Sequence, residues 1–479
     1  MSGMNDFEDY DGLGLAELVR KGCVSPGELL SEAIERVEAR NPAVNAVVMP
    51  LYDYAKQQIA AGLPDGPFKG VPYPMKDLTA SIEGVRMTRG SRFFADTPPA
   101  TFDSEHVKRL KQAGLVLFCR TNSCELGMSL TCEPVLYGPT KSPWDVTRIS
   151  GGSSGGAAAS VGARMVPMAH ASDGFGSIRA PAACCGVVGL KPTRGRNTFA
   201  PAQGEGLAGC STEHAVTLTV RDSAALLDAT CGPGAGDPYY AQPPARPYLE
   251  ECGADPGKLR IAFTRKAPNG AKVDAVSLKA LDEAAKLCAD LGHVVEEADP
   301  ALDGDAIVPT FLTIMAANMA VTLASHPAKG RPARKGEVEN TVFAMAERGL
   351  KLTSADYLKA TQTEHRLGRQ MAAFHATWDV LLTPGLSGLP PKLGWVDRML
   401  EDTDEYWRRV FAMSPFTVPF NLTGQPGLML PLCRSEDGYP ISVQLVGRYA
   451  DEATLFRLGS QLEAARPWFG RKPEIARLR

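Results

Sequence analysis

Residues 150–179, SGGSSGGAAASVGARMVPMAHASDGFGSIR, constrain this chain more than any other stretch. Two glycine clusters, GGSSGG at 151–156 and DGFGSIR at 173–179, flank a run of small and apolar residues. Glycine lets a backbone approach another group closely and adopt dihedrals closed to other residues, so the pair of clusters predicts N–H groups converging on one place. Between them, AAASVGA reads as a helix of small residues with Ser153 or Ser154 near its N-cap. VPMAH reads as a short buried strand that runs into the second cluster.

This pattern suits two chemistries and one bland alternative. A helix N-terminus with free N–H groups can cradle an anion. A phosphate cradle of the Walker type, however, needs lysine and Ser/Thr directly after the last glycine, and Gly156 is followed by Ala157. The second chemistry is an oxyanion hole beside a nucleophile: Ser177 attacks, and backbone N–H groups from Gly174, Phe175, Gly176 and Ser177 meet the developing charge. The alternative is an ordinary Gly/Ser turn or linker.

A serine nucleophile needs a proton acceptor. None of the seven histidines lies in a recognisable nucleophile-elbow or His-Asp-Ser context, GxSxG is missing around Ser177, and apolar-flanked His170 reads as a packed core residue. Lys76 is the better base. It follows the alternating Val71, Tyr73 and Met75 in GVPYPMKDL, and burial would favour its neutral form. A lone lysine is usually a solvated surface group, so the reading depends on its neighbours. Cys124 and Cys132 are the rival nucleophiles, but neither has a histidine in its sequence context.

GVPYPMKDL, FCRTNSCELGMS, ISGGSSGG, SDGFGSIRAPAACCGVVGLKPTRG and VPFNLTGQPGLMLPL with GYPISVQLVG resemble, in order, the motifs of the amidase signature hydrolases. Within that family the chain looks most like bacterial hydrolases acting on cyclic nylon oligomers and related xenobiotic amides and carbamates. The resemblance implies Lys76 as general base, Ser153 as a serine preceded by a cis peptide, and Ser177 as nucleophile. Ser154 is the competing relay, since a hydroxyl at either position can donate and accept. Asp173 and Arg179 resemble the motif's structural ion pair, with Ser150 and Gly152 in supporting positions. The family usually carries glycine where Phe175 stands. An oxyanion donor uses only the backbone, so the hole survives the change, and the ring must point away or line an apolar pocket.

The implied fold is α/β: a mixed, mostly parallel twisted sheet covered by helices on both faces, as strand and helix alternation also suggests. The chain of 479 residues reads as a single amidase domain, with N-terminal helices over 11–62, a motif-bearing core over 63–231 and a variable substrate-side and sheet-completing part over 257–479. Phe416–Pro431 is expected to be strand. Net charge −3 with 22% charged residues gives no basic surface for nucleic acid. No run of about 20 apolar residues is expected. The acidic start MSGMNDFEDYDG lacks the basic and apolar regions of a signal peptide. Eleven cysteines without framework spacing suit reduced thiols in a cytoplasmic chain, and no metal or other cofactor is implied.

The partner expected is a small amide or carbamate, acting on a monomer or homodimer. Met128, Leu130, Tyr137 and Phe175 are candidate pocket residues, with Phe311, Met315, Met319 and Phe343 on the helical part. The glycine-containing loop at 197–210 is the candidate gate. Three other functions fit some of the same residues: an amidotransferase subunit, an esterase, and a non-catalytic phosphate- or nucleotide-binding protein.

Overall fold

The computed structural model describes residues 7–478, so the first half of the acidic N-terminal segment lies outside the described residues. Thirteen strands form: β1 (Val47–Pro50), β2 (Pro72–Lys76), β3 (Val116–Thr121), β4 (Lys141–Ser142), β5 (Asp145–Ile149), β6 (Met168–Asp173), β7 (Val188–Lys191), β8 (Thr212–Thr217), β9 (Arg260–Phe263), β10 (Val294–Glu297), β11 (Val380–Pro384), β12 (Gly427–Arg434) and β13 (Pro440–Gly447). Eight make one sheet in the order β10-β9-β11-β13-β12-β7-β8-β6. A second sheet, β1-β3-β2, lies with β2 beside β6. The sheet is mixed, as expected. Its parallel pairings are confined to β9 with β10 and β11, and to β2 with β3 in the small sheet. The remaining neighbours in the large sheet pair antiparallel; β12 and β13, for instance, are joined by a short turn.

Helices cover both faces, and the strand sequences show why. Leu428, Leu430, Val443 and Leu445 face one layer with the helices Val220–Thr230, Ala275–Asp290 and Glu452–Ala465. Leu381 and Val446, one residue out of phase, meet Met371 and Phe420 on the other. A strand buried on both sides reads as an unbroken apolar run, and GLMLPL is one. That same ambiguity explains a correction. Val418–Thr423, expected as strand, is a helix with proline in its first turn and left-handed Gly424 at its C-cap; β12 begins only at Gly427. An apolar run without clear period does not separate buried strand from buried helix.

The helix Gly304–Leu323 is long and apolar enough to cross a membrane by length and composition, contrary to the expectation that no such run exists. Half of it is buried, and it packs against the helices Asn340–Leu350 and Ser354–His375. The small-residue helix Gly155–Gly162 is buried throughout and lies against the end of β3. A Cβ at Gly156 would stand 2.4 Å from Asn122 N and 2.5 Å from Ala46 O. Gly156→Ala should therefore cost about 1–3 kcal/mol. Gly27→Ala, where the nearest atom is 3.9 Å from the added Cβ, should not destabilise. Urea-unfolding midpoints of the two variants check the contrast.

Candidate active site

Strand β2 is buried at every position and ends on Lys76, which is wholly inaccessible. Its Nζ donates to Ser153 Oγ at 2.7 Å and to Ser172 Oγ at 2.9 Å. Burial pushes this amine down to about 8, because no carboxylate is bonded to it and the low-dielectric surroundings disfavour the ammonium. Ser172 was not anticipated. It sits in β6 just before Asp173, and only the packing of β2 beside β6 brings its hydroxyl to the lysine.

The two adjacent hydroxyls left open by the sequence have different partners here. Ser154 occupies the N-cap of Gly155–Gly162 without capping it; its Oγ donates to Ser172 O at 3.2 Å and accepts from Ser172 N at 3.3 Å. Ser153, after a cis Gly152–Ser153 peptide, meets Lys76 and lines the cavity. Gly152 is pressed onto the backbone of Thr131, and Ser150 Oγ bonds only to Gly151 O. The helix N-terminus is not an open anion cradle: Gly156 N–H donates to Asn122 O at 3.1 Å.

The second cluster folds around one carboxylate. Asp173 Oδ1 accepts from Gly176 N at 2.7 Å, and Oδ2 accepts from Ile178 N at 3.1 Å. Arg179 closes the turn through two contacts to Asp173 of 2.9 and 3.1 Å, and Asn421 adds one at 2.8 Å. Arg179 is itself held by Gln444 and Asn421, so the pair is buried with its donors matched. Burial would raise the Asp173 carboxyl; the guanidinium and its hydrogen bonds overcome that and hold it well below the usual carboxylate range.

This corrects one expected donor. Gly176 spends its N–H on Asp173, and its glycine identity answers a different need: φ is +136° and a Cβ would stand 2.5 Å from Thr417 Oγ1. The N–H groups of Gly174, Phe175 and Ser177 donate to no group among the described residues. Nor does the Ser177 hydroxyl have a partner there, and Ser177 opens, with Ser153 and Ser172, onto a cavity of 250 Å³.

Phe175 lines that cavity with its ring against Phe311, centroids 4.9 Å apart, and near Trp407. Met315, Met319, Leu126 and Met87 form further apolar wall, and loop 197–210 contributes Phe199, Gln203, Gly206 and Leu207. Met128, Leu130 and Tyr137 do not reach it. Met128 and Leu130 are core, and Tyr137 Oη shares a hydrogen bond with Thr88 Oγ1 at 3.0 Å. The alternation of turn and apolar residues over 121–140 marked the right segment but not which side faces in; Leu126 and Gly127 do. Phe311 and Phe343 likewise stand outside the lining.

Cys124 and Cys132 are fully buried, and burial pushes both thiols up, Cys132 to about 12, which disfavours the nucleophilic thiolate. His170 is a core residue, as read from its neighbours, kept neutral by burial and packed on His106. Among the described residues, His106, His170 and Glu213 are the one grouping of metal-ligand types, with ligand atoms within 4.8 Å of one another, and none of the three lines the cavity.

The profile of the amidase family matches residues 28–456. The chain belongs to the amidase signature family. It is 37% identical to the 6-aminohexanoate-cyclic-dimer hydrolase of a Pseudomonas strain, over 97% of this chain and 96% of that protein. The hydrolase of the same description from Paenarthrobacter ureafaciens is also 37% identical, over the same shares. A solved structure of 6-aminohexanoate cyclic dimer hydrolase complexed with substrate superposes with a TM-score of 0.92 at 36% identity, covering 98% of this chain and 100% of that one. This amidase is a hydrolase of amide C–N bonds.

Because Arg179 is enclosed and its partner carboxylate has no access to water, Arg179→Met should lose about 3–5 kcal/mol of stability. The loss should shrink as the pH falls through the carboxylate range. The native Asp173 carboxyl is depressed by its partner, so the pair's contribution is present above the unfolded-state value and disappears with protonation. Denaturant titrations of both proteins at several pH values measure this.

Proposed function

We propose that this amidase cleaves its substrate through an acyl-enzyme, with Ser177 as nucleophile, Ser153 as proton relay and Lys76 as base. The supporting observation is the 2.7 Å contact between a buried, readily neutralised amine and Ser153, beside an unpartnered Ser177 hydroxyl in the same cavity. Neutral Lys76 draws the Ser153 proton, and Ser153 takes that of Ser177 as its oxygen attacks the amide carbonyl. The N–H groups of Gly174, Phe175 and Ser177 are free to bond the developing oxyanion, a role that needs no change in Phe175's side chain. The proton then passes to the departing amine, and water releases the acid.

Carbamates carry the same carbonyl and a comparable leaving amine, so they are the second substrate class; esters are a third. The apolar walls at Phe175, Phe199, Leu207, Met315 and Met319 favour an aliphatic or aromatic body, as does the relatives' named substrate, the cyclic dimer of 6-aminohexanoate.

Purified protein assayed on anilides, aliphatic and cyclic amides, carbamates and esters tests the reading. Ser177→Ala should reduce kcat by about 10⁴-fold or more, and intact-mass analysis of a slow substrate should show an acyl adduct on the parent protein alone. An unchanged rate in that variant overturns the assignment.

The pH dependence has a definite sign. The base must be neutral, so kcat/KM should rise through about 8 and level above it; a flat profile over that limb counts against Lys76.

The loop 197–210 is proposed as a gate. A Cβ at Gly206 would meet Ser211 Cβ at 2.8 Å, so Gly206→Ala should move the loop and change kcat and KM together. Stopped-flow and steady-state kinetics of this variant check it.

A further inference from the structure

Arg89 is the one lysine or arginine among the residues lining the cavity that the proposed mechanism leaves without a task. Its guanidinium makes no hydrogen bond and no ion pair among the described residues, and its one contact of note is with the Phe94 ring, 5.3 Å from the centroid. Enclosed arginines elsewhere differ: Arg120, Arg164 and Arg398 each leave buried nitrogens without a hydrogen-bond partner, whereas two others are saturated. Arg40 binds Glu8 and the carbonyls of Ala163, Arg164, Ala476 and Leu478, and Arg196 binds Glu452, Gln242 and Ala450. Arg89 is only partly buried, so its guanidinium, always charged and with five donors in a planar fork, stands open to an acceptor that enters the cavity.

Asp77, the nearby carboxylate, is not that acceptor: it takes Thr88 N at 3.0 Å, Thr88 Oγ1 and Gly90 N. Glu205, the other charged wall residue, is engaged by Tyr239 Oη at 2.6 Å. Arg89 is also held in a backbone conformation rare for an L side chain, φ 57°, with Leu126 N–H on its carbonyl at 2.8 Å. The chain therefore fixes a cation at this wall.

We infer that Arg89 determines specificity by binding a carboxylate on the substrate, so that the amides preferred here carry a free carboxylate at one end. A carboxylate meets the guanidinium fork with two parallel hydrogen bonds, whereas a neutral carbonyl or alkyl end does not. This rests on the reading of the Ser177 cavity as the amide-cleaving site.

Two matched substrate pairs test it, one for each side of the scissile bond: adipic acid monoanilide against hexananilide, and N-hexanoyl-6-aminohexanoate against N-hexanoyl-hexylamine. In the parent protein, one pair should favour its carboxylate member by about tenfold or more in kcat/KM, expressed in KM and weakened by salt. Arg89→Met should bring that ratio to about one, and Arg89→Lys should retain part of it. Ratios near one in both pairs for the parent, or an unchanged ratio in Arg89→Met, overturn the inference while leaving the serine mechanism standing. Calorimetric binding of adipate against hexanamide reads Arg89 independently of turnover. If no amide is cleaved but adipate binds and Arg89→Met abolishes that binding, the mechanism fails and Arg89 stands; if adipate does not bind, Arg89 fails as well.

Discussion

The central constraint in this structure is the removal of one ammonium group from water without supplying it a carboxylate. Lys76 lies at the end of a strand buried on all sides, and the groups it reaches are the hydroxyls of Ser153 and Ser172 and a carbonyl. A carboxylate in contact would have kept it charged and inert as a base. Hydroxyls satisfy its hydrogen-bonding needs without paying back the desolvation, so the balance tips toward the neutral amine.

The contrast with Asp173 and Arg179 shows that the fold treats its buried charges in two ways. This pair is matched from both sides by backbone N–H groups, Asn421 and Gln444, and it stays ionised. Its task is geometric. By drawing in the N–H groups of Gly176, Ile178 and Arg179, the carboxylate bends residues 173–179 so that the remaining N–H groups and the Ser177 hydroxyl face the cavity. The groups that hold the turn come from β6, from the helix Val418–Thr423 and from β13, which ties the C-terminal part of the chain to the second glycine cluster.

The glycines meet two different demands that look alike in sequence. In the first cluster they allow backbone to touch backbone, at Gly152 against Thr131 and Gly156 against Asn122. In the second, Gly176 adopts a positive φ and slides under Thr417. Elements with a local cue were legible: the small-residue helix Gly155–Gly162 and the buried strand β6 form close to where AAASVGA and VPMAH put them. The four-residue strands β1, β7 and β10 carry too few residues to show a period, and Val418–Thr423 read as strand because a doubly buried segment loses its polar face.

By itself, the sequence determined the chemistry available: a lysine, small hydroxyls and glycine turns in an order that only a few folds can use, together with the ion pair that organises the second turn. Tertiary structure decided the rest. It chose Ser153 over Ser154 as the lysine's neighbour, took Gly176 out of the donor set, brought in Ser172, and put Leu126 and Met87 on the cavity wall in place of Met128, Leu130 and Tyr137, beside the Met315 and Met319 that the sequence had offered. These choices depend on which side of a segment faces inward and on contacts between residues far apart in the chain. Local spacing carries no record of either, because the distance between two side chains is set by how whole strands and helices pack.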